Sequence, residues 1–120
     1  MNYEVTEKNS KKYIEYTPSE KLITSEQDAL DIVAACMENE TDRVMIHAAA
    51  LADNFFDLSS GLAGNILLKL GNYRVKTAVV LNGEDKLTEK FKEFMAETNR
   101  GTSFGVFHDK GEAENWLLRG

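Results

Sequence analysis

Hydrophobic and polar positions change spacing several times along the chain, and each change predicts a new secondary-structure element. Short stretches that alternate or are continuously apolar predict strands at residues 1–6, 13–16, 43–48, 73–81 and 104–107. Apolar residues three and four positions apart predict four helices, three between these strands and one after the last. The first two strands are close enough for a hairpin, so the predicted order is β-β-α-β-α-β-α-β-α.

This order predicts an α/β fold in one domain that spans residues 1–120. Strands that alternate with helices form parallel sheets with right-handed crossovers. The hairpin adds an antiparallel edge, so we expect a five-stranded, mixed and mostly parallel sheet. The apolar segments 44–46 and 75–81 suit strands covered on both faces, and we expect them inside the sheet.

Polar residues and glycines predict where the helices begin and end. The first helix opens with a capping box, formed by Thr24 and Gln27. Ser25 and Asp28 offer the same pattern one residue later, and the helix runs to about residue 38. The other predicted boundaries are a turn at 82–83, starts at Glu84 or Asp85 and at Asp109, and left-handed stops at Gly71 and Gly101.

The segment 55–71 combines a loop end, a helix start and one amphipathic helix. Ser59 or Ser60 is expected to cap this central helix by accepting a hydrogen bond from one of its first free N–H groups. Gly61 and Gly64 lie three apart on one predicted helical face, where another backbone or a partner can approach closely. The predicted apolar stripe consists of Leu62, Ala63, Ile66, Leu67 and Leu70.

Composition excludes several classes of function. The formal net charge of −6 argues against a nucleic-acid partner, which clustered Lys and Arg would attract. Cys36 is the single cysteine, so there is no internal disulfide, and no segment approaches the ~20 apolar residues of a membrane span. We therefore expect a cytoplasmic protein. His47, His108 and Cys36 fall on separate elements and make a poor zinc set, and we expect no metal and no cofactor.

A motif at the start of the central helix resembles the STAS family, which includes bacterial anti-sigma factor antagonists and cytoplasmic domains of sulfate transporters. The matching residues are 59–62, Ser-Ser-Gly-Leu, and the predicted element order resembles the same fold. In the antagonists, the second serine of a D-S-S-G-L motif is phosphorylated by the partner anti-sigma kinase. The resemblance therefore implies a STAS-like fold and places Ser60 at the phospho-acceptor position, with Ser59 as the alternative. Leu58 separates Asp57 from the serines, so Asp57 stands one residue further away than the family's aspartate.

Short segments along the whole chain resemble a second family. They lie at residues 27–31, 55–58, 61–64, 72–73 and 97–101. These segments are similar to a bacterial family of small proteins described only as a domain of unknown function, DUF4180. This resemblance implies no activity.

The candidate functional surface lies where the third strand ends and the central helix begins, because ligand sites in parallel sheets gather there. The pair 55–56 is either an exposed aromatic anchor for a partner or part of the core. His47 is either a member of a hydrolytic triad with Ser60 and Asp57 or a histidine that anchors the loop, and no G-x-S-x-G elbow is present. The whole candidate surface consists of His47, Phe55, Phe56, Asp57, Leu58, Ser59, Ser60, Gly61 and Gly64.

Three functions follow, in order of preference. The first is a non-enzymatic regulatory or interaction module with a phospho-switch at Ser60 and a protein partner, such as a regulatory kinase or an anti-sigma-like protein. The second is a small-molecule domain that binds an anionic group at the same helix N-terminus. The third is an uncharacterised serine hydrolase. Ser60 also has a purely structural interpretation as a helix cap, and a homo-oligomer is compatible with the sequence.

Overall fold

The order of strands and helices is the predicted one. The protein is seen as a computed structural model that describes residues 2–19, 21–81, 87–99 and 101–119. The predicted turn at 82–83 and the predicted helix starts Glu84 and Asp85 lie outside these residues. The strands are β1 (Tyr3–Lys8), β2 (Lys11–Tyr16), β3 (Arg43–His47), β4 (Lys76–Val80) and β5 (Phe104–Phe107). The helices are α1 (Glu26–Glu38), α2 (Leu62–Asn72), α3 (Glu89–Thr98) and α4 (Lys110–Leu118).

The five strands form one mixed sheet in the order β1-β2-β3-β4-β5. β1 pairs with β2 antiparallel, and every later pair is parallel. Asn9 and Ser10 connect β1 to β2 with φ angles of 54° and 67°, the left-handed values of a two-residue hairpin turn. β3 and β4 lie inside the sheet, and the apolar segments 44–46 and 75–81 are buried except at the half-buried Lys76. The predicted architecture is therefore confirmed.

Alternation along each strand divides the sheet into two unequal faces. Helices α1, α2 and α3 cover the first face, whose core includes Ile14, Val44 and Val79. Helix α4 covers the second face, where Met45 and Ala78 are fully buried. Because successive side chains of a strand point to opposite faces, neighbours such as Val44 and Met45 serve different cores.

Side-chain caps start helices α1, α3 and α4. Ser25 caps α1, since its Oγ accepts from the N–H of Asp28 at 3.3 Å, and the Asp28 carboxylate accepts from the N–H of Thr24 at 2.8 Å. The Ser25–Asp28 alternative is thus the one that forms. Asp109 caps α4 as predicted. Helix α3 begins later than predicted, because the hydroxyl of Thr88 is the group that accepts from its first turn.

The predictions of left-handed helix stops at Gly71 and Gly101 were both wrong. Helix α2 continues through Gly71, and the left-handed residue is Arg74, with a φ of 58°. There the N–H of Val75 donates to the carbonyl of Leu70 at 3.0 Å. Leu70 and Val75 are both buried, so this ending brings two apolar side chains into the core together. Gly101 is not left-handed either, since Gly61 is the glycine with positive φ among the described residues.

The side chain of Asn99 lies along the outer edge of β5. Its amide nitrogen donates to the carbonyl of Val106 at 3.1 Å, and its amide oxygen accepts from the N–H of Val106 at 2.7 Å. The amide thus occupies the place that a peptide group of a sixth strand would take. Paired in this way, Val106 does not offer its outward backbone groups to another chain.

Candidate functional site

The loop between β3 and α2 is a chain of three 3₁₀ turns, at Ala48–Ala50, Asp53–Phe56 and Leu58–Ser60. Ile23 holds it through two backbone hydrogen bonds: its N–H donates to Ala50 at 2.9 Å, and its carbonyl accepts from Ala52 at 3.0 Å. Each 3₁₀ turn is closed by its own backbone bonds. The loop therefore delivers the serines to a defined place at the carboxyl end of β3.

Asp57 organises the last of these turns. Its Oδ1 accepts from the N–H of Ser59 at 3.0 Å and from the Oγ of Ser59 at 2.6 Å. These two hydrogen bonds, first from the hydroxyl and then from the backbone, lower the pKa of Asp57 below its ordinary value. Asp57 is therefore a carboxylate that caps the turn, and it binds Ser59 rather than Ser60.

Ser60 links the loop to the start of α2. Its Oγ lies 2.6 Å from the carbonyl of Asn54 and 2.8 Å from that of Asp57, and it accepts from the N–H of Leu62 at 3.2 Å. The cap position of α2 is held by Gly61, whose φ of 76° favours glycine. Ser60 thus lies one residue before the cap, is exposed, and still satisfies the first N–H of the helix.

Phe55 and Phe56 are buried, so the interpretation as an exposed anchor was wrong and the core alternative is correct. They are 1% and 3% exposed. Their ring centroids lie 6.1 Å and 5.3 Å from that of Phe91, on α3. Sequence spacing could not show that a helix more than thirty residues later covers this pair.

The two glycines do not share a helical face, contrary to prediction. Gly61 precedes α2 in a left-handed conformation, whereas Gly64 lies inside the helix. A Cβ placed on Gly64 would have no heavy atom within 4 Å, so no backbone packs closely there in the described structure. The surface that stays exposed comprises Asp57, Ser59, Ser60, Gly61 and Gly64, with Leu58 half-buried beside it.

His47 contacts an acid on the neighbouring strand. Its Nε2 lies 2.5 Å from Oε2 of Glu15, and the Nζ of Lys110 lies 3.1 Å from the same oxygen. Burial alone would raise the pKa of Glu15, but the hydrogen bonds from His47 and Lys110 outweigh it and lower the pKa. In the described part of the chain, neither Ser59 nor Ser60 hydrogen-bonds to a histidine, so the contacts of a Ser60, His47 and Asp57 triad are not formed.

Glu15 and Lys110 were missed from the sequence. The available signal was a lone carboxylate, two residues after Tyr13, in the otherwise uncharged segment 13–16. Strand alternation puts Glu15 on the face that α4 covers, and the parallel pairing of β2 with β3 puts His47 at the same end. Lys110, the first residue of α4, reaches Glu15 only because α4 packs across this face, and the sequence pattern does not show that.

No cluster of three or more potential metal ligands of the His, Cys, Asp or Glu type occurs among the described residues. Cys36 is a core residue, and burial together with the charge of Asp42 raises the pKa of its thiol to about 12. In the same part of the chain, no helix combines the length and the apolar character that crossing a membrane requires.

Comparison with known protein families adds one finding. A family model matches residues 8–117, and its description is a domain of unknown function, DUF4180. The chain belongs to this family. The DUF4180 resemblance of the short segments is thereby confirmed. Searches of curated proteins and of solved structures found no match.

Proposed function

We propose that this DUF4180 protein is a non-enzymatic regulatory module of the STAS type, bacterial and cytoplasmic, in which phosphorylation of Ser60 controls binding to a protein partner. The resemblance of residues 59–62 to the anti-sigma factor antagonists supports a kinase-like partner. The observation that carries the proposal is the position of the Ser60 hydroxyl. It is on an exposed residue one position before the cap of α2, within bonding distance of both the loop and the helix.

Phosphorylation would change the hydrogen bonds of the Ser60 hydroxyl. The ester oxygen keeps no proton, so the donation to the carbonyls of Asn54 and Asp57 is lost. The added charge of about −1.5 to −2 is repelled by these carbonyls and attracted by the free N–H groups at the start of α2. The phosphate thus favours a rearranged 58–60 turn over the present one. The phosphate on Ser60 would thus change the shape and charge of the protein surface at the 58–60 turn, where a partner can bind.

The two serines differ in their suitability as acceptors. The Ser59 hydroxyl donates to the Asp57 carboxylate, so a phosphate on Ser59 would face a negative charge. The Ser60 hydroxyl faces neutral carbonyls and the positive end of a helix dipole. Electrostatics therefore favours Ser60 over Ser59.

A partner would meet a groove beside the switch. Its volume is about 520 Å³, and it lies between the 58–60 turn and the start of α3. The groove is lined by Asp57, Leu58, Ser59, Thr88, Glu89 and Lys90. Its mixture of an apolar side chain, hydroxyls and both charges suits a protein surface.

The alternative, an anionic small molecule at this helix N-terminus, has less support. Among the described residues that line the groove, Asp57 and Glu89 are carboxylates and Lys90 is the one cation. Two carboxylates against one cation leave a net negative charge, which repels an anion.

The test compares Ser60→Asp and Ser60→Ala as baits for proteins from the native host. Phosphopeptide mapping of the wild-type protein from the same cells accompanies it. We expect Ser60→Ala to recover the same partner as the wild type, and Ser60→Asp to recover markedly less of it. Mapping should locate phosphate on Ser60.

Ser103→Asp is the matched control, because it adds the same charge at an exposed serine that does not line the groove, and it should leave partner recovery unchanged. Equal recovery of the partner by wild type, Ser60→Asp and Ser60→Ala would contradict the switch. If Ser60 is only a structural residue, Ser60→Ala should instead cost about 0.5–2 kcal/mol of unfolding free energy. Under that interpretation, Ser60→Asp should be nearly neutral.

A further inference from the structure

A second concave site lies at the opposite end of the sheet from Ser60. It opens between the amino ends of β3 and β4, the residues after α3, and the carboxyl end of α4. We name it the basic cleft and define it by Arg43, Lys76, Trp116 and Arg119. Its volume is about 620 Å³, within the range of roughly 300–1,000 Å³ typical of small-molecule sites.

Positive charge is concentrated in this cleft although the chain carries a net charge of −6. Three of its four defining residues are cations, and Asp42 is the one carboxylate among the described lining residues. Burial, followed by the charges of Arg43, Arg119 and Lys11, lowers the pKa of Lys76. The neighbouring cations therefore repel Lys76, and the attraction of Asp42 offsets this repulsion only in part.

Holding the end of α4 accounts for some of this charge. Lys76 Nζ donates to the carbonyls of Trp116 at 2.7 Å and Arg119 at 3.1 Å, and Arg43 Nε donates to that of Leu117 at 2.9 Å. Lys11 Nζ donates to the carbonyl of Leu118 at 2.7 Å. A helix C-terminus presents only about half a negative charge. Among the described residues, this half charge and Asp42 therefore leave the three cations of the cleft with a surplus of about one and a half positive charges.

The guanidinium of Arg43 has donors beyond the one bound to α4. A terminal nitrogen lies 3.6 Å from Oδ1 of Asp42, which is an ion pair but too long for a good hydrogen bond. Planar guanidinium groups bind phosphate through two parallel N–H donors. Beside it, the indole of Trp116 forms an aromatic wall, with Lys76 Nζ 4.5 Å from the ring centroid.

We propose that the basic cleft binds a small molecule through a phosphate group. The phosphate supplies negative charge to balance the cations, and the volume of the cleft suits a small molecule. A nucleic acid would meet the net negative charge of the rest of the molecule. The site is independent of the Ser60 switch, since the two lie at opposite ends of the strands.

Trp116 provides a direct assay, because it is the single tryptophan of the chain. Inorganic pyrophosphate and ADP are titrated into the full chain at constant ionic strength, and the fluorescence of Trp116 and the melting temperature are recorded. We expect a saturable fluorescence change and a rise in melting temperature with both probes. If ADP binds more tightly than pyrophosphate, an organic part of the ligand contacts Trp116. If the two affinities are equal, the cleft recognises only the phosphates.

Arg119→Gln and Arg43→Gln test the residues. Loss of one charged contact should weaken binding about tenfold, and Arg119→Gln is the variant least able to disturb the fold. Lys69→Gln removes the same charge from α2 and should bind within twofold of the wild type. Ser60→Asp should also bind normally, which separates this site from the proposed switch.

Three results would overturn the proposal. The first is a fluorescence change that stays linear and equals that of sodium chloride at matched ionic strength. The second is equal pyrophosphate affinity of Arg119→Gln, Lys69→Gln and the wild type. The third is tighter binding of a single-stranded oligonucleotide than of either phosphate probe, which would assign the cleft to nucleic acid.

Discussion

On one face of the sheet three helices pack through apolar side chains, whereas on the other a single helix is tied by charged groups. The first face holds the large core, including the aromatic cluster of Phe55, Phe56 and Phe91. The second face buries few side chains of α4, mainly Ala113 and Leu117. Folding energy on the first face comes from removing apolar surface from water, and on the second much of the specificity comes from electrostatics.

The charges that hold α4 are arranged along its axis. The carboxylate of Glu15 lies at the N-terminal end of the helix, where it contacts Lys110. Lys11, Arg43 and Lys76 lie at its C-terminal end and bind its last carbonyls. This order complements the helix dipole, whose N-terminus is positive and whose C-terminus is negative. Salt and pH should therefore act on α4 more than on the other helices.

The largest expected effect belongs to the apolar face. Phe91→Ala removes a ring that is 1% exposed and contacts three other phenyl rings. The free energy of unfolding should fall by about 3–5 kcal/mol, measured by urea denaturation, because a cavity replaces the ring. Phe94→Ala is the control at a half-buried position and should cost less. A loss below about 1 kcal/mol for Phe91→Ala would mean that this face does not carry the core.

On the charged face, Lys76→Met should have the next largest effect. It removes both hydrogen bonds from Nζ to the end of α4 and leaves the aliphatic chain. We expect a loss of about 1.5–3 kcal/mol in urea denaturation, because these two charge-assisted hydrogen bonds outweigh the burial and the repulsion from neighbouring cations that lower the pKa of Lys76. Lys69→Met on α2 serves as the control and should change stability by less than about 0.5 kcal/mol. A loss for Lys76→Met no larger than that for Lys69→Met would contradict a tether at the end of α4.

The pH dependence of Glu15 distinguishes the two faces in another way. Its pKa is below the ordinary value of 4.5, so its ionised form stabilises the folded state. The contribution is complete above the unfolded pKa and is lost as the pH falls through the lowered folded value. Glu15→Gln should therefore cost about 1–2 kcal/mol at neutral pH and progressively less below about pH 4.5. Chemical denaturation from pH 7 to pH 3 measures this, and a constant difference across that range would contradict it.

The smallest effect concerns one hydroxyl. Tyr13→Phe keeps the buried ring but removes the hydrogen bond from its OH to Oε2 of Glu114, which is 2.7 Å long. We expect a loss of about 0.5–1.5 kcal/mol in thermal or urea unfolding. Tyr73→Phe changes the same group at an exposed position and should be neutral. Equal effects of the two variants would show that the hydrogen bond to Glu114 does not stabilise the packing of α4.

Local patterns in the sequence were sufficient for the fold. The i, i+3, i+4 spacing of apolar residues predicts four helices, and the buried face of α1 follows this spacing at Ala29, Ile32, Val33 and Cys36. The Asn9-Ser10 turn and the Ser25 and Asp109 caps were likewise within reach, since each depends on neighbours a few residues away. The Gly71 stop failed because burial of Leu70 with Val75 decided where α2 ends.

The sites were less accessible, because they are made by contacts between distant parts of the chain. The serine motif was found because its residues are adjacent, and its position before the α2 cap agrees with that pattern. Glu15 meets His47, and Arg43 meets Lys76, only when distant strands pair in parallel. Lys110 and Trp116 join them only when α4 folds back along the sheet. Single-sequence spacing contains no information on such distances.

The amide of Asn99 makes the two edges of the sheet differ in how readily a further strand can pair with them. Because it occupies the outward groups of Val106, an extended peptide that approaches β5 must first displace it. The described contacts place no such substitute along β1, so we expect an added strand to pair more readily with the N-terminal hairpin than with β5. Hydrolysis of the Asn99 amide to a carboxylate would replace its donor with a charge that the Val106 carbonyl repels. Chemical ageing of this one side chain would then open the second edge.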